Sequence, residues 1–243
     1  MTVSTTGSTA ASTMVRLEGA ARWFGAGHTR VVALHPTSLE VKAGELLAVM
    51  GPSGSGKTTL LSLVGGLDKP SEGKVVVDGK DVGAMKSRDL AILRRRTVGY
   101  VFQDLNLLAG LTAAENVAIP LELDGRAVGA ARHAALDALG SVGLGDLASR
   151  FPDDLSGGEQ QRVAIARALV GGRPILLADE PTGALDSMTG ESVMRLLRRH
   201  CDGGGTAILV THDAAHAAWA HRVVFLRDGR IVDEARPASA TAA

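Results

Sequence analysis

The stretch Gly51-Pro52-Ser53-Gly54-Ser55-Gly56-Lys57-Thr58-Thr59 constrains this chain more than any other. It follows a short apolar run at residues 45–50 and leads into residues 57–64, which have the composition of a helix. A buried strand, a glycine-rich loop and a helix in that order surround one point with backbone donors. Gly51, Gly54 and Gly56 tolerate positive φ, so the loop can curl with its amides facing inward. Those amides and the helix N-terminus suit the β- and γ-phosphates of a nucleotide. Lys57 adds a full positive charge, and Thr58 offers a hydroxyl to Mg²⁺.

A second apolar run, residues 175–178, ends in Asp179-Glu180. A carboxylate at the end of a buried strand is costly without a partner. Hydrated Mg²⁺ supplies one, which makes Asp179 a metal-side acid. Glu180 then stands where an acid can polarise the water that attacks the γ-phosphate.

The rest of the chain is organised around these two features. Residues 15–24 and 31–41 have strand composition, as do 74–77, 98–102 and 207–211. Residues 222–226 and 230–232, separated by Asp228-Gly229, read as a closing hairpin. From 112 to 140 Ala, Leu and charged residues dominate, with helical spacing over 131–139, and a further helix is expected at 158–170. The expected architecture is a single α/β domain over 15–234 with a helical insert at about 104–157. Short tails are expected at 1–14 and 235–243, rich in small and polar residues.

Composition narrows the function. Lys plus Arg and Asp plus Glu both number 26, for a net charge of zero, which argues against a nucleic-acid partner held on a basic face. Cys201 is the only cysteine, so neither an intrachain disulfide nor a cysteine metal cluster can form. No run approaches the roughly 18 apolar residues of a membrane-spanning helix. A cytoplasmic protein is expected, held at a membrane by another chain if it works there.

Leu155-Ser156-Gly157-Gly158-Glu159-Gln160-Gln161-Arg162 is a second potential anion site, with a Ser hydroxyl and Gly amides at a helix start. Together with the loop at 51–58 and Asp179-Glu180-Pro181-Thr182, it resembles the signature of ABC ATPases over almost the whole folded chain. The resemblance implies an ATP-hydrolysing P-loop NTPase core with an antiparallel β subdomain and a helical insert. It implies roles for four smaller elements. Gln103 resembles the glutamine that senses Mg²⁺ and the attacking water. His212 resembles the switch histidine on the γ-phosphate, and Asp186 the acid at the dimer interface. Phe24 sits where the family has an aromatic on adenine, with the adjacent Trp23 as the alternative. His216 and His221 are read as solvated or structural.

Gly65-Gly66-Leu67-Asp68, residues 102–108 and residues 115–121 further resemble the lipoprotein-release and macrolide-export type, from which Ala184 departs, since Asn is common there. That resemblance implies a head-to-tail dimer in which Lys57 of one copy and Ser156, Gly157, Gly158 and Glu159 of the other hold each ATP. Within one chain the two halves are not expected to meet. It also implies an integral membrane permease on a separate chain, engaged from the cytoplasmic face for export or for lipoprotein or peptide extraction. The alternative is a regulatory ABC ATPase that controls a membrane partner in envelope or division processes. The apolar segment 105–111 reads either as the permease contact or as plain core.

Overall fold

The structure, a computed structural model, describes residues 12–183 and 187–237. Two sheets and three apolar cores organise them.

The smaller sheet is antiparallel, in the order β2-β1-β4-β5, built from β1 (Thr13–Phe24), β2 (Val31–Lys42), β4 (Glu72–Val77) and β5 (Lys80–Asp81). Val15, Leu17, Leu34, Val75 and Val77 point from its inner face. Alternation of buried and exposed positions along β2 is the mark of a sheet wetted on one side.

The larger sheet has the order β10-β9-β3-β8-β7-β6. Its members are β3 (Leu46–Met50), β6 (Val98–Val101), β7 (Ile175–Asp179), β8 (Thr206–Val210), β9 (Arg222–Arg227) and β10 (Arg230–Ala235). All neighbours are parallel except the β9–β10 hairpin. Every residue of β7 and β8 is buried, as expected of central strands covered on both faces. Helix α1 (Lys57–Val64) packs in the core between the two sheets through Leu60, Leu61, Leu63 and Val64. On the opposite face of the large sheet lie α5 (Gly157–Leu169) and α6 (Ser187–Asp202), through Ile165, Met194 and Leu197.

Helices α3 (Ala113–Leu123) and α4 (Val128–Ser141) follow β6 and form the third core with the inner face of α5: Val117, Ala131, Leu139 and Val163. This core therefore extends past residue 157. Asn116, fully buried, closes the entry to α3. Its Oδ1 accepts from Leu108 N (2.8 Å), and its Nδ2 donates to the carbonyls of Leu108, Leu111 and Thr112.

Several boundaries differ from expectation. Thr13 and Met14, placed in the N-terminal tail by composition, belong to β1, because Thr13 pairs with Lys42 and Ser12 O accepts from Ala43 N. Ala235 likewise pairs with Val223 at the end of β10. Helices α2 (Ser87–Arg96) and α6 were not read from the sequence. The apolar segment 105–111 divides: Leu105 and Leu107 pack against the core, whereas Leu108 is 53% exposed. No helix among the described residues is long and apolar enough to cross a membrane.

Candidate functional site

The glycine loop lies at the C-terminal end of β3, against the β9–β10 turn. Gly229 N donates to Ser55 O (3.0 Å), which ties the loop to that turn. At Gly51 an added Cβ would come within 2.0 Å of Leu226 O, and at Gly56 (φ +100°) within 2.3 Å of Ala33 O. Both positions are closed to any side chain by neighbouring backbone. Lys57 is buried, and its Nζ donates to Gly51 O and Pro52 O, both at 2.8 Å. The ammonium is thus held inside the curl of the loop rather than on a carboxylate.

The ends of β7 and β8 bring the acids and His212 to the same place. Asp179 is buried at the end of β7, where desolvation pushes its carboxyl above the usual range; a hydrogen bond from the Thr58 hydroxyl opposes this. Glu180 follows at φ +48°, a conformation that non-glycine residues rarely adopt and that clusters at functional sites. It is held there by Glu180 N donating to Val210 O (3.0 Å). Its Oε1 stands 3.0 Å from His212 Nδ1. The Glu180 hydrogen bond and charge together raise the His212 imidazole above its ordinary value.

Gln103 follows β6. Tyr100 and Phe102 stack there with centroids 4.1 Å apart, and burial keeps the Tyr100 phenol neutral far above its ordinary range. Beyond Asp104, Leu105 and Asn106 both have positive φ and offer their carbonyls to the Arg167 guanidinium of α5.

A cleft of about 880 Å³ collects these groups. Gly51, Pro52, Ser53, Gly54, Gly56, Lys57, Thr58 and Thr59 form its floor, while Gln103, Asp179, Glu180 and His212 face them. Ser55 lies beneath the surface, with a buried hydroxyl that has no hydrogen-bond partner. Ala33, Asp104, Leu105, Gln161 and Gly183 also line the cleft and were not assigned to it from the sequence. Their residue types carry no signal of their own; only Gln161, inside the signature-like segment, had a position that pointed to it.

Other expected residues are placed differently. Gly157 reaches the rim of the same cleft, so the two halves approach within one chain more closely than expected, because α5 begins facing the loop. Ser156, Gly158 and Glu159 do not line it. The Ser156 hydroxyl and Glu159 carboxylate are engaged with each other in a capping box (2.8 Å), with Ser156 N also donating to Glu159 (2.7 Å). Phe24 is not part of the cleft lining either. It is 47% exposed with the Arg22 guanidinium 4.5 Å above its ring, and Arg30 stands 3.8 Å over Trp23. Asp186 and Ala184 lie outside the described residues.

The cleft fits a nucleotide phosphate chain and a hard divalent cation. Gly51 and Gly56 are closed to side chains by neighbouring backbone, and the buried Ser55 hydroxyl is unpartnered. The Thr58 hydroxyl and the Asp179 carboxylate form an all-oxygen donor set of the kind Mg²⁺ prefers.

The chain is similar to known proteins in sequence and in fold. The sequence profile of the ABC transporter family matches residues 34–183. A macrolide export ATP-binding/permease protein MacB from Photorhabdus laumondii is 46% identical over 221 residues, covering 91% of this chain and 34% of that protein. The MacB of Nitrosomonas europaea is 49% identical over 220 residues, covering 90% and 33%. This chain thus spans about a third of the length of these curated relatives. Among solved structures, the ATP-binding cassette MJ0796, a dimer in a post-hydrolysis state bound to ADP and Pi, superposes with a TM-score of 0.86 at 42% identity. The match covers 92% of this chain and 98% of that one. With the phosphate loop, the two acids and the histidine assembled on a P-loop NTPase core, and with these likenesses, the chain belongs to the ABC transporter family.

Proposed function

We propose that this chain is an ATP-hydrolysing cassette that pairs head to tail with a second copy and drives an integral membrane permease from the cytoplasmic face, in export or in lipoprotein or peptide extraction. The observation that carries this reading is the cleft in which Lys57, Thr58, Gln103, Asp179, Glu180 and His212 face one another across the glycine loop. Likeness to MacB supports the export direction, and likeness to the dimeric cassette supports the pairing.

In phosphoryl transfer a protein mainly positions groups and neutralises charge. Lys57 leaves its two carbonyls for the phosphates, and the amides of Gly51–Thr58 cradle them. Thr58, Asp179 and Gln103 would hold Mg²⁺, which when bound neutralises charge on the phosphate oxygens. Glu180 accepts a proton from, or orients, the attacking water, and His212 holds the γ-phosphate. In a closed pair Ser156, Gly157, Gly158 and Glu159 of one copy cover the nucleotide of the other, with Asp186 at the interface. A two-fold axis makes two such sites. Phe24 or Trp23 flanks the adenine once its arginine moves aside.

Glu180→Gln should keep ATP affinity within about twofold and lose turnover by about 100-fold or more. Lys57→Ala should instead lose nucleotide affinity. A binding titration beside a phosphate-release assay separates the two, and wild-type turnover in Glu180→Gln would refute the assignment of Glu180.

A further inference from the structure

His216 lies in α7 (Ala214–Ala217), four residues past His212, and takes no part in the mechanism above. Its Nδ1 stands 2.9 Å from the Thr182 hydroxyl and 3.3 Å from an Asp213 carboxylate oxygen. Thr182 is two residues beyond Glu180 and buried, and Asp213 directly follows His212. One imidazole therefore touches both turns that carry the reactive side chains.

The surroundings fix that ring. Asp213 caps α7 through Ala215 N (2.7 Å), and its own N donates to Thr211 Oγ1 (3.1 Å). On the far side the ring lies on α6, where a Cβ at Gly190 would come within 3.2 Å of His216 Nε2 and 3.8 Å of Thr182 Cγ2. Glycine at 190 leaves the space the imidazole and Thr182 occupy. Thr182, Asp213 and His216 line a second cavity, of about 330 Å³, which shares Glu180 and His212 with the main cleft.

The turns need such a link. The β7–β8 ladder ends at the Asp179–Val210 pair. Beyond it Glu180 sits in a strained left-handed conformation, which persists only where the surroundings over-determine it. His212 is 73% exposed, and its bond to Glu180 must open if it is to reach a phosphate.

We propose that His216 is a positioning residue: it fastens the Glu180 turn to the His212 turn through Thr182 and Asp213, so that the two keep their separation as nucleotide enters and leaves. This rests on the reading of Glu180 and His212 given above.

Steady-state ATPase kinetics on the full chain test it. His216→Ala should lower kcat about tenfold, since small misplacements of reacting groups cost rate steeply. KM and nucleotide affinity should stay within about twofold, the pattern of an interaction felt in the transition state. His216→Asn, whose amide can take the place of Nδ1, should recover most of the loss. Thr182→Val, close in shape and thus a guard against misfolding, should lose as much as His216→Ala, and the double variant no more than either. Wild-type kcat in His216→Ala overturns the proposal. So does a His216→Asn that is no better than His216→Ala while nucleotide affinity and melting temperature fall together, because that is packing alone. Glu180→Gln measured alongside separates the failures. Turnover surviving there overturns the site reading and its dependent, whereas turnover lost there but intact in His216→Ala overturns the positioning role alone.

Discussion

Glu180 and His212 stand 3.0 Å apart at the ends of adjacent parallel strands, one nearly buried and the other exposed. The carboxylate favours the protonated imidazole, so the folded-state value of His212 lies above its unfolded one. The stabilisation this pair gives is fully present below the ordinary imidazole value, roughly 6.5, and is lost as pH rises through the raised folded value. In a pH titration followed by NMR, His212 should titrate above ordinary imidazole, and Glu180→Gln should bring it back toward that value. A His212 that titrates identically in both proteins would contradict the contact. At this scale the sequence was informative where residue type and position coincide, as in Lys57, Asp179 and Glu180. It was uninformative about contacts that depend on the third dimension. Nothing in the string joins His216 to Thr182, or places Arg22 and Arg30 on the faces of Phe24 and Trp23.

Among the elements, α3 and α5 start with the same device: Thr112 with Glu115, and Ser156 with Glu159, each a complete capping box. In both cases hydrogen bonds from the cap hold the acid below its ordinary value. Thr112→Ala and Ser156→Ala should each cost about 1 kcal/mol in urea unfolding. Turnover should survive in Thr112→Ala and fall in Ser156→Ala, because Ser156 alone serves a second site across the proposed dimer. Equal turnover in both variants would leave Ser156 a helix cap and nothing more. The strands and α1 were legible because buried runs end abruptly at glycine or acid. Helix α2 was not, since only Leu90 and Leu93 of its ten residues are buried and three arginines close it. Helix α6 has a clear apolar stripe in Val193, Met194, Leu197 and Cys201, but its Ser, Thr and Gly start gives the look of a loop.

As a whole molecule the chain presents its phosphate loop and the start of α5 to one cleft, with Gly157 at the rim but Ser156 turned into its own helix cap. The proposed pairing gives Ser156, Gly158 and Glu159, which do not line the cleft of their own chain, a site to serve. In the proposed pair ATP would act as a ligand of the closed state, and hydrolysis would remove that preference. Leu108, 53% exposed and with its backbone held by Asn116, is the surface we propose for contact with a permease. Sedimentation of Glu180→Gln with and without ATP tests the central claim most directly. The account predicts a 25.0 kDa monomer without nucleotide, twice that mass with ATP, and a return to monomer when Ser156→Arg is added. One and the same mass in all three conditions would contradict it.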